Sequence, residues 1–400
     1  MQSHRSSLAV HWTLDPDVVF LNHGSFGACP KPVLEYQQAL RDELELEPLR
    51  FLDERAMSLW ADVRAEVSAF VGADPEGLVF VRNATVGVNT ALAAFANFEM
   101  REGDEILVTD HEYRASRNAA DWFAERCGAR VVPIHVPFPL ASEDEVVEAI
   151  LGAVTARTRF ALLDHITSQT GLVFPLERLV RELRERGIET VVDGAHGPGM
   201  IPLRLEELGA AFYTGNCHKW LCTPKGAGLL YVRKDWRERT RPLVISHGAT
   251  APRGDRSRLH AEFDWIGTDD PTAVLSIGES IRFLGGLLPG GWDEVMRTNR
   301  ELALESRRIL CAALGVPIPA PESMIGTLAA VPLPPFERPE PGPPNYVDPF
   351  QKELFGGDRI EVPIIPWPNW PHRIVRTSSQ LYNHASESAY LGEVLRRRIG

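Results

Sequence analysis

The sequence predicts an α/β fold: a large domain on a mostly parallel seven-stranded sheet, with a smaller α+β domain beside it. Two observations predict it. From about residue 75 to 235, short apolar runs alternate with amphipathic segments, the pattern of β–α units in a parallel sheet. After about Arg258 that alternation gives way to long helical patterns and a few separate strand-like runs.

The runs 78–81, 105–109, 130–135, 158–164, 189–193, 211–214 and 228–232 read as the seven strands. They are rich in Val, Leu and Phe and apolar on both faces, as strands covered on two sides are. The last of them is the one that could run the other way. Between them, 86–97, 116–127, 143–154 and 176–186 carry helical periodicity, and Ser142 with Glu145 forms a capping-box signature. Further on, 278–288, 292–314 and 386–398 read as helices and 326–331, 360–365 and 373–377 as strands. Seven prolines within 331–345 predict an exposed loop there. The large domain is expected over 20–258, and the smaller over 1–19 and 259–400.

Composition narrows the function classes. The 42 basic and 54 acidic side chains give a net charge of −12, which argues against a general nucleic-acid binder. Only five of the basic residues are lysines: Lys31, Lys219, Lys225, Lys234 and Lys352. Chemistry that needs an amine therefore has a short list. The five cysteines are scattered and include no CxxC pair, so neither a disulfide framework nor a zinc site is expected. A reducing cytoplasm is the simpler setting. Residues 1–12 lack an apolar signal core, and no uninterrupted apolar run reaches the ~18 residues of a membrane span.

Four strand ends carry the chemistry. In FYTGNCHKWLCTPKGAG (212–228), Lys219 follows a strand beside Trp220 and Leu221. Partial burial there would lower the amine pKa and make it a nucleophile for a carbonyl; otherwise it is a surface loop lysine. In TVVDGAHGPG (190–199), Asp193 ends a buried strand and needs a cationic partner. A protonated pyridine nitrogen, an arginine or a turn-capping role would each satisfy it. An Asp193–His196 hydrolytic dyad is a further reading, but no GxSxG elbow accompanies it. In RNATVGVNT (82–90), the N–H groups and the Thr85 hydroxyl at a helix start suit a phosphate, or Asn83 or Thr85 simply caps the helix. In TDHEYR (109–114), His111 could lie over an aromatic cofactor or be a satisfied loop histidine. No Walker or GxGxxG pattern is present. All four groups fall on one rim, where open α/β sheets bind ligands.

These segments, with LNHGSFG (21–27) and RTSSQLYN (376–383), resemble the class V aminotransferase-like group of fold type I pyridoxal-phosphate enzymes. Within that group the chain is most similar to isopenicillin N epimerase-like proteins. The resemblance implies pyridoxal 5′-phosphate (PLP) as cofactor, an amino-acid-like small molecule as substrate, and a homodimer. It implies that Lys219 binds the cofactor covalently, Asp193 pairs with the pyridinium nitrogen and His111 stacks on the ring. His196, and more weakly Ser168, would lie near the phenolic oxygen. Ala84, Thr85, Asn216 and His218 match phosphate-binding positions, although Asn216 replaces the usual serine. Thr268 matches a residue given by the partner subunit. Arg376 would clamp the substrate carboxylate, a bidentate task for guanidinium, and Asn22 would reach the active site.

The residues 339–374 hold no cysteine, so desulfuration through a persulfide is not expected. The first functional expectation is an epimerase-like reaction at an amino-acid α-carbon. A C–S β-lyase acting on a cysteine conjugate or sulfoxide, and an aminotransferase, are the alternatives. An intact Lys219, Asp193 and Arg376 set argues against a non-catalytic ligand-binding role. Epimerisation needs a second acid, for which His23 and Tyr382 are candidates.

Overall fold

The computed structural model describes residues 5–340, 342 and 347–399. Its central sheet comprises β1 (Leu78–Val81), β2 (Glu105–Thr109), β3 (Arg130–Ile134), β4 (Thr158–Asp164), β5 (Glu189–Asp193), β6 (Phe212–Asn216) and β7 (Gly228–Val232). The strand order is β1-β7-β6-β5-β4-β2-β3. Only β7 is antiparallel to its neighbours. The reason lies in residues 217–227, which form turns and no helix. A parallel return needs a longer crossover, usually helical.

Both sheet faces are covered, which explains the two-sided apolar strands. Val79, Ile106, Phe160, Val191 and Phe212 pack under α1 (Ala84–Phe98) and α2 (Arg114–Cys127). Alternating residues such as Leu107, Ala161, Val192 and Tyr213 pack under α3 (Glu143–Gly152) and α4 (Leu176–Glu185). The expected capping box at Ser142 is formed, with Glu145 reaching back to the Ser142 N–H. Leu259 and Phe263 join the first core, and Val274 and Ile277 the second. These residues beyond 258 thus pack with the large sheet and not with the smaller domain to which the sequence assigns them.

The smaller sheet is antiparallel, in the order β9 (Ile364–Pro366), β10 (Arg373–Ser378), β8 (Leu328–Pro332). It packs against α5 (Gly291–Leu314) and α6 (Ala385–Ile399). The run 360–365 splits: Ile360–Glu361 pairs in parallel with Val19–Phe20, and the chain re-enters at β9. The expected proline-rich loop begins inside β8, and its positions 341 and 343–345 lie outside the described residues. No described helix is long and apolar enough to cross a membrane.

Gly87 fixes how closely α1 approaches the sheet. A Cβ there would lie 2.0 Å from Thr214 Oγ1, and that hydroxyl is held by the Leu229 carbonyl at 2.8 Å. Thr214 therefore cannot yield. Gly87→Ala is expected to destabilise the protein by about 1–3 kcal/mol through overpacking. A denaturant titration that finds an unchanged midpoint would contradict this packing.

Candidate active site

The strand-end loops line one cavity of about 420 Å³. Asn83, Ala84 and Thr85 follow β1, and Tyr113 follows β2. Asp164 and Ser168 lie at β4, Asp193 and His196 at β5, and Asn216, His218 and Lys219 at β6. Ser25 and Phe26 reach it from the N-terminal segment. A larger open cleft along α4, about 1080 Å³, contains none of the candidate residues.

Lys219 Nζ lies 3.0 Å from His196 Nε2. Burial, and then the Arg376 charge, lower the amine to about 7, against the opposing pull of Asp193 and Asp164. A sizeable share of the amine is thus neutral near pH 7, as a nucleophile or base requires. The surface-lysine alternative is not what forms.

Asp193 is buried and accepts hydrogen bonds from Ser116 Oγ at 2.7 Å and the Ala195 N–H at 3.0 Å. No ion pair to it occurs among the described residues, so an arginine partner is excluded, and the turn-capping role accounts for only one oxygen. Burial raises its pKa. Asp164 sits in register beside it on β4, and Glu112 is buried close by. Burial first, then the Asp164 and Asp193 charges on Glu112 and the Asp193 charge on Asp164, push both well above the usual carboxylate range, although the Glu112 hydrogen bond pulls Asp164 down. Asp193, with two donors, is the member of this cluster best able to hold a negative charge. Such a charge, buried without a cation, demands a cationic ligand group.

At the start of α1, Asn83 caps the helix by accepting from the Val86 N–H at 3.0 Å. The Ala84 N–H, an expected phosphate donor, instead donates to Asn216 Oδ1 at 2.8 Å. The Asn216 oxygen is committed as well, which corrects both assignments in part: Asn216 has only its amide Nδ2 to offer. The Thr85 N–H and hydroxyl have no partner among the described residues, and they stand at a helix N-terminus that favours an anion. His218 donates through Nδ1 to the Ala227 carbonyl at 3.2 Å, so in the neutral ring Nε2 carries a lone pair and becomes a donor only when the ring is protonated. Burial, then Lys219, lower its pKa to about 4.

Arg376 is buried without an acidic partner among the described residues. It donates to the Ser168 carbonyl and, at 3.1 Å, to Ser25 Oγ, and its Nε has no partner. Burial lowers even this guanidinium to about 10. Ser168 thus meets Arg376 through its backbone. Asn22 does not line the cavity. Its amide bonds Glu361 at 3.0 Å and its oxygen accepts from Ser25 Oγ at 2.5 Å, so it orients the serine that faces Arg376.

Three further expectations change. His111 is fully buried outside the cavity, with Nε2 donating to the Val136 carbonyl at 2.9 Å and Nδ1 bonded to Thr170 Oγ1 at 2.8 Å. Both ring nitrogens are thereby used, and the ring meets Trp367 edge-on, its centroid 4.4 Å away. Tyr113, two residues on at the N-cap of α2, is the aromatic of this turn that lines the cavity. His23 and Tyr382 bond each other at 2.8 Å, and His23 Nε2 donates to the Lys219 carbonyl at 2.9 Å, so neither lines the cavity. Thr268 is exposed and lies outside this cavity. Ser116, which the motif reading missed, had no local signal: it reaches Asp193 only because the fold brings the first turn of α2 to the end of β5.

Comparison with known proteins bears on this geometry. Residues 35–324 match the family model Aminotransferase class-V. The chain is 35% identical over 396 residues to isopenicillin N epimerase of Amycolatopsis lactamdurans, covering 96% of each chain. It is 30% identical over 389 residues to a probable chloroplastic L-cysteine desulfhydrase of Arabidopsis thaliana, covering 92% of this chain and 80% of that one. The solved structure of a C-DES mutant with glycine covalently linked to its PLP cofactor aligns with a TM-score of 0.79 at 20% identity, covering 97% of this chain and 98% of that one. At that identity the likeness concerns the fold. The chain belongs to the class V aminotransferase family, and it is a pyridoxal 5′-phosphate enzyme of fold type I.

Proposed function

We propose that this enzyme inverts the α-carbon of an amino acid or amino-acid-like substrate, an epimerase-like reaction. One observation carries the substrate class: Arg376 is a buried guanidinium with no acidic partner among the described residues, close enough to Lys219 to depress its amine. A substrate carboxylate would supply the missing anion. The residues also fit the cofactor. Asp193 would hold the pyridinium nitrogen; Thr85, the Asn216 amide and, with its ring held protonated by the bound dianion, His218 the phosphate; Lys219 the aldehyde carbon; Tyr113 a face of the ring. When bound, the cofactor supplies an electron sink for the pair left at the α-carbon.

The remaining work belongs to the chain. Arg376 holds the carboxylate and so fixes which α-bond is cleaved. The neutral Lys219 Nζ removes the α-proton, and Asp193 keeps the pyridine nitrogen protonated by pairing with it. Inversion needs a proton returned from the other face. We assign this to the phenol of Tyr113, which lines the cavity and lies near enough to Arg376 to act on its charge. The 35% identity to an isopenicillin N epimerase across nearly all of both chains supports this choice of reaction.

C–S β-elimination is the second reading. It needs one base only, and the two acids that the sequence offered for the other face, His23 and Tyr382, are turned to each other. The likeness to a cysteine desulfhydrase supports it. Persulfide chemistry has no support, because no cysteine lines the cavity and burial raises Cys217 to about 12 and Cys222 well above the usual thiol range. The proposal extends to a homodimer, in which the exposed Thr268 serves the partner's site. It also places the protein in the cytoplasm, consistent with five free cysteines.

Lys219→Ala is expected to lower α-proton exchange by about 10²–10⁴-fold, and borohydride reduction should no longer leave cofactor mass on that peptide. In the wild-type chain without cofactor, covalent capture of PLP should quicken as pH rises through about 7, where the amine loses its proton. Arg376→Lys keeps the charge and loses the bidentate fork, so kcat/KM should fall about 10–100-fold; an unchanged value would remove the carboxylate assignment. Incubation with amino acids in deuterated water decides the reaction. Deuterated, inverted product supports the epimerase, pyruvate with a thiol or sulfenate the lyase, and a keto acid with pyridoxamine phosphate the aminotransferase. With Tyr113→Phe, the substrate should still exchange its α-proton but keep its configuration.

A further inference from the structure

Beside the catalytic lysine, Trp220 contributes more than packing. Its indole is wedged among Ile166, Met200 and Leu328, and its Nε1 lies 3.2 Å from His196 Nδ1. An indole N–H can only donate, so His196 Nδ1 must present a lone pair. A neutral imidazole carries one proton, which then sits on Nε2. That nitrogen faces Lys219 Nζ at 3.0 Å. An ammonium group has no lone pair to accept with, so this contact is an N–H···N bond to an unprotonated amine.

We propose that Trp220 is a positioning residue that locks His196 in its Nε2–H tautomer, so that His196 offers the cavity a donor and leaves the base beside it to Lys219. Protonating His196 would require Nδ1 to give up its only partner in a fully buried site. Lys219, Arg376, His23 and His218 all act on its ring against protonation, while the Asp193 and Asp164 carboxyls line the same cavity. The inference deepens the function proposed above. With cofactor bound, the same Nε2–H would be offered to the phenolic oxygen, and a neutral donor there adds no positive charge beside the lysine nitrogen.

The test uses the whole chain with ¹⁵N-labelled histidine and no cofactor. Long-range ¹H–¹⁵N spectra, with His196 identified through His196→Asn, should show Nδ1 unprotonated and Nε2 protonated between pH 6 and 8. Trp220→Phe keeps most of the packing and should release the tautomer into a mixture. An Nδ1–H tautomer in the wild type, or the same Nε2–H form in Trp220→Phe, would overturn the inference. A second arm uses the holoenzyme. Loss of one donor to the phenolic oxygen should raise the pKa of the visible band of the lysine-bound cofactor by about 0.5–1 unit. The Trp220→Phe/His196→Asn double variant should match His196→Asn alone; additive shifts would mean that Trp220 does not act through His196. Failure to bind PLP would strike the proposed function, whereas the tautomer spectra decide this inference by themselves.

Discussion

Two opposite charges held apart in a buried site are the constraint on which the rest of the structure depends. Asp193 and Arg376 are both buried, one at the rim of the large sheet and one in the smaller sheet, and neither is paired with the other or with any described counter-ion. Each such group costs free energy unless a ligand completes it. The fold can hold them because each is pinned by elements with other reasons to be there. Asp193 ends a strand packed on both faces and is gripped by Ser116 from the covering helix. Arg376 stands in β10 of the smaller sheet and is steadied by Ser25, which Asn22 orients in turn. Asp193 thus lines the cavity directly, and Arg376 stands behind Ser25 and Ser168 of its lining.

Lys219 sits between these charges and takes its chemistry from the balance. Desolvation and Arg376 lower its amine, while Asp193 and Asp164 limit the fall. A carboxylate bound at Arg376 would relieve one of the two depressing influences at the moment the lysine must take a proton. The neighbouring carboxyls Glu112 and Asp164, pushed toward neutrality, leave Asp193 as the negative pole. The same logic separates the possible reactions. Carboxylate clamp, base and ring anchor are common to inversion, elimination and transamination, and only the group on the far face and the leaving group distinguish them.

Much of this was legible in the sequence. Strands covered on both faces announce themselves as apolar runs, and a strand end followed by a polar residue marks the rim, so Lys219, Asp193 and Thr85 could be named from motif and position, and Arg376 from the family resemblance. What was not legible depended on side-chain partners chosen by tertiary packing. His111 and Tyr113 are two residues apart on the same turn, and only the bonds to Val136 and Thr170 decide which aromatic ring turns inward. Ala84 looked like a free donor until Asn216 arrived from another strand to take it. Residues 259–277 lost the β–α rhythm and so looked like part of the smaller domain, although their apolar side chains fill gaps in the larger one.

The most direct measurement concerns the unpaired carboxylate. Cofactor carrying ¹⁵N at the pyridine nitrogen can be bound to the full-length protein and its protonation read by NMR between pH 6 and 9. A buried Asp193 that lacks any protein cation should hold that nitrogen protonated across the whole range, and Asp193→Asn should release the proton. A nitrogen that is unprotonated in the wild type, or one whose state is indifferent to Asp193→Asn, would contradict the claim that the site is built around two charges awaiting their ligands.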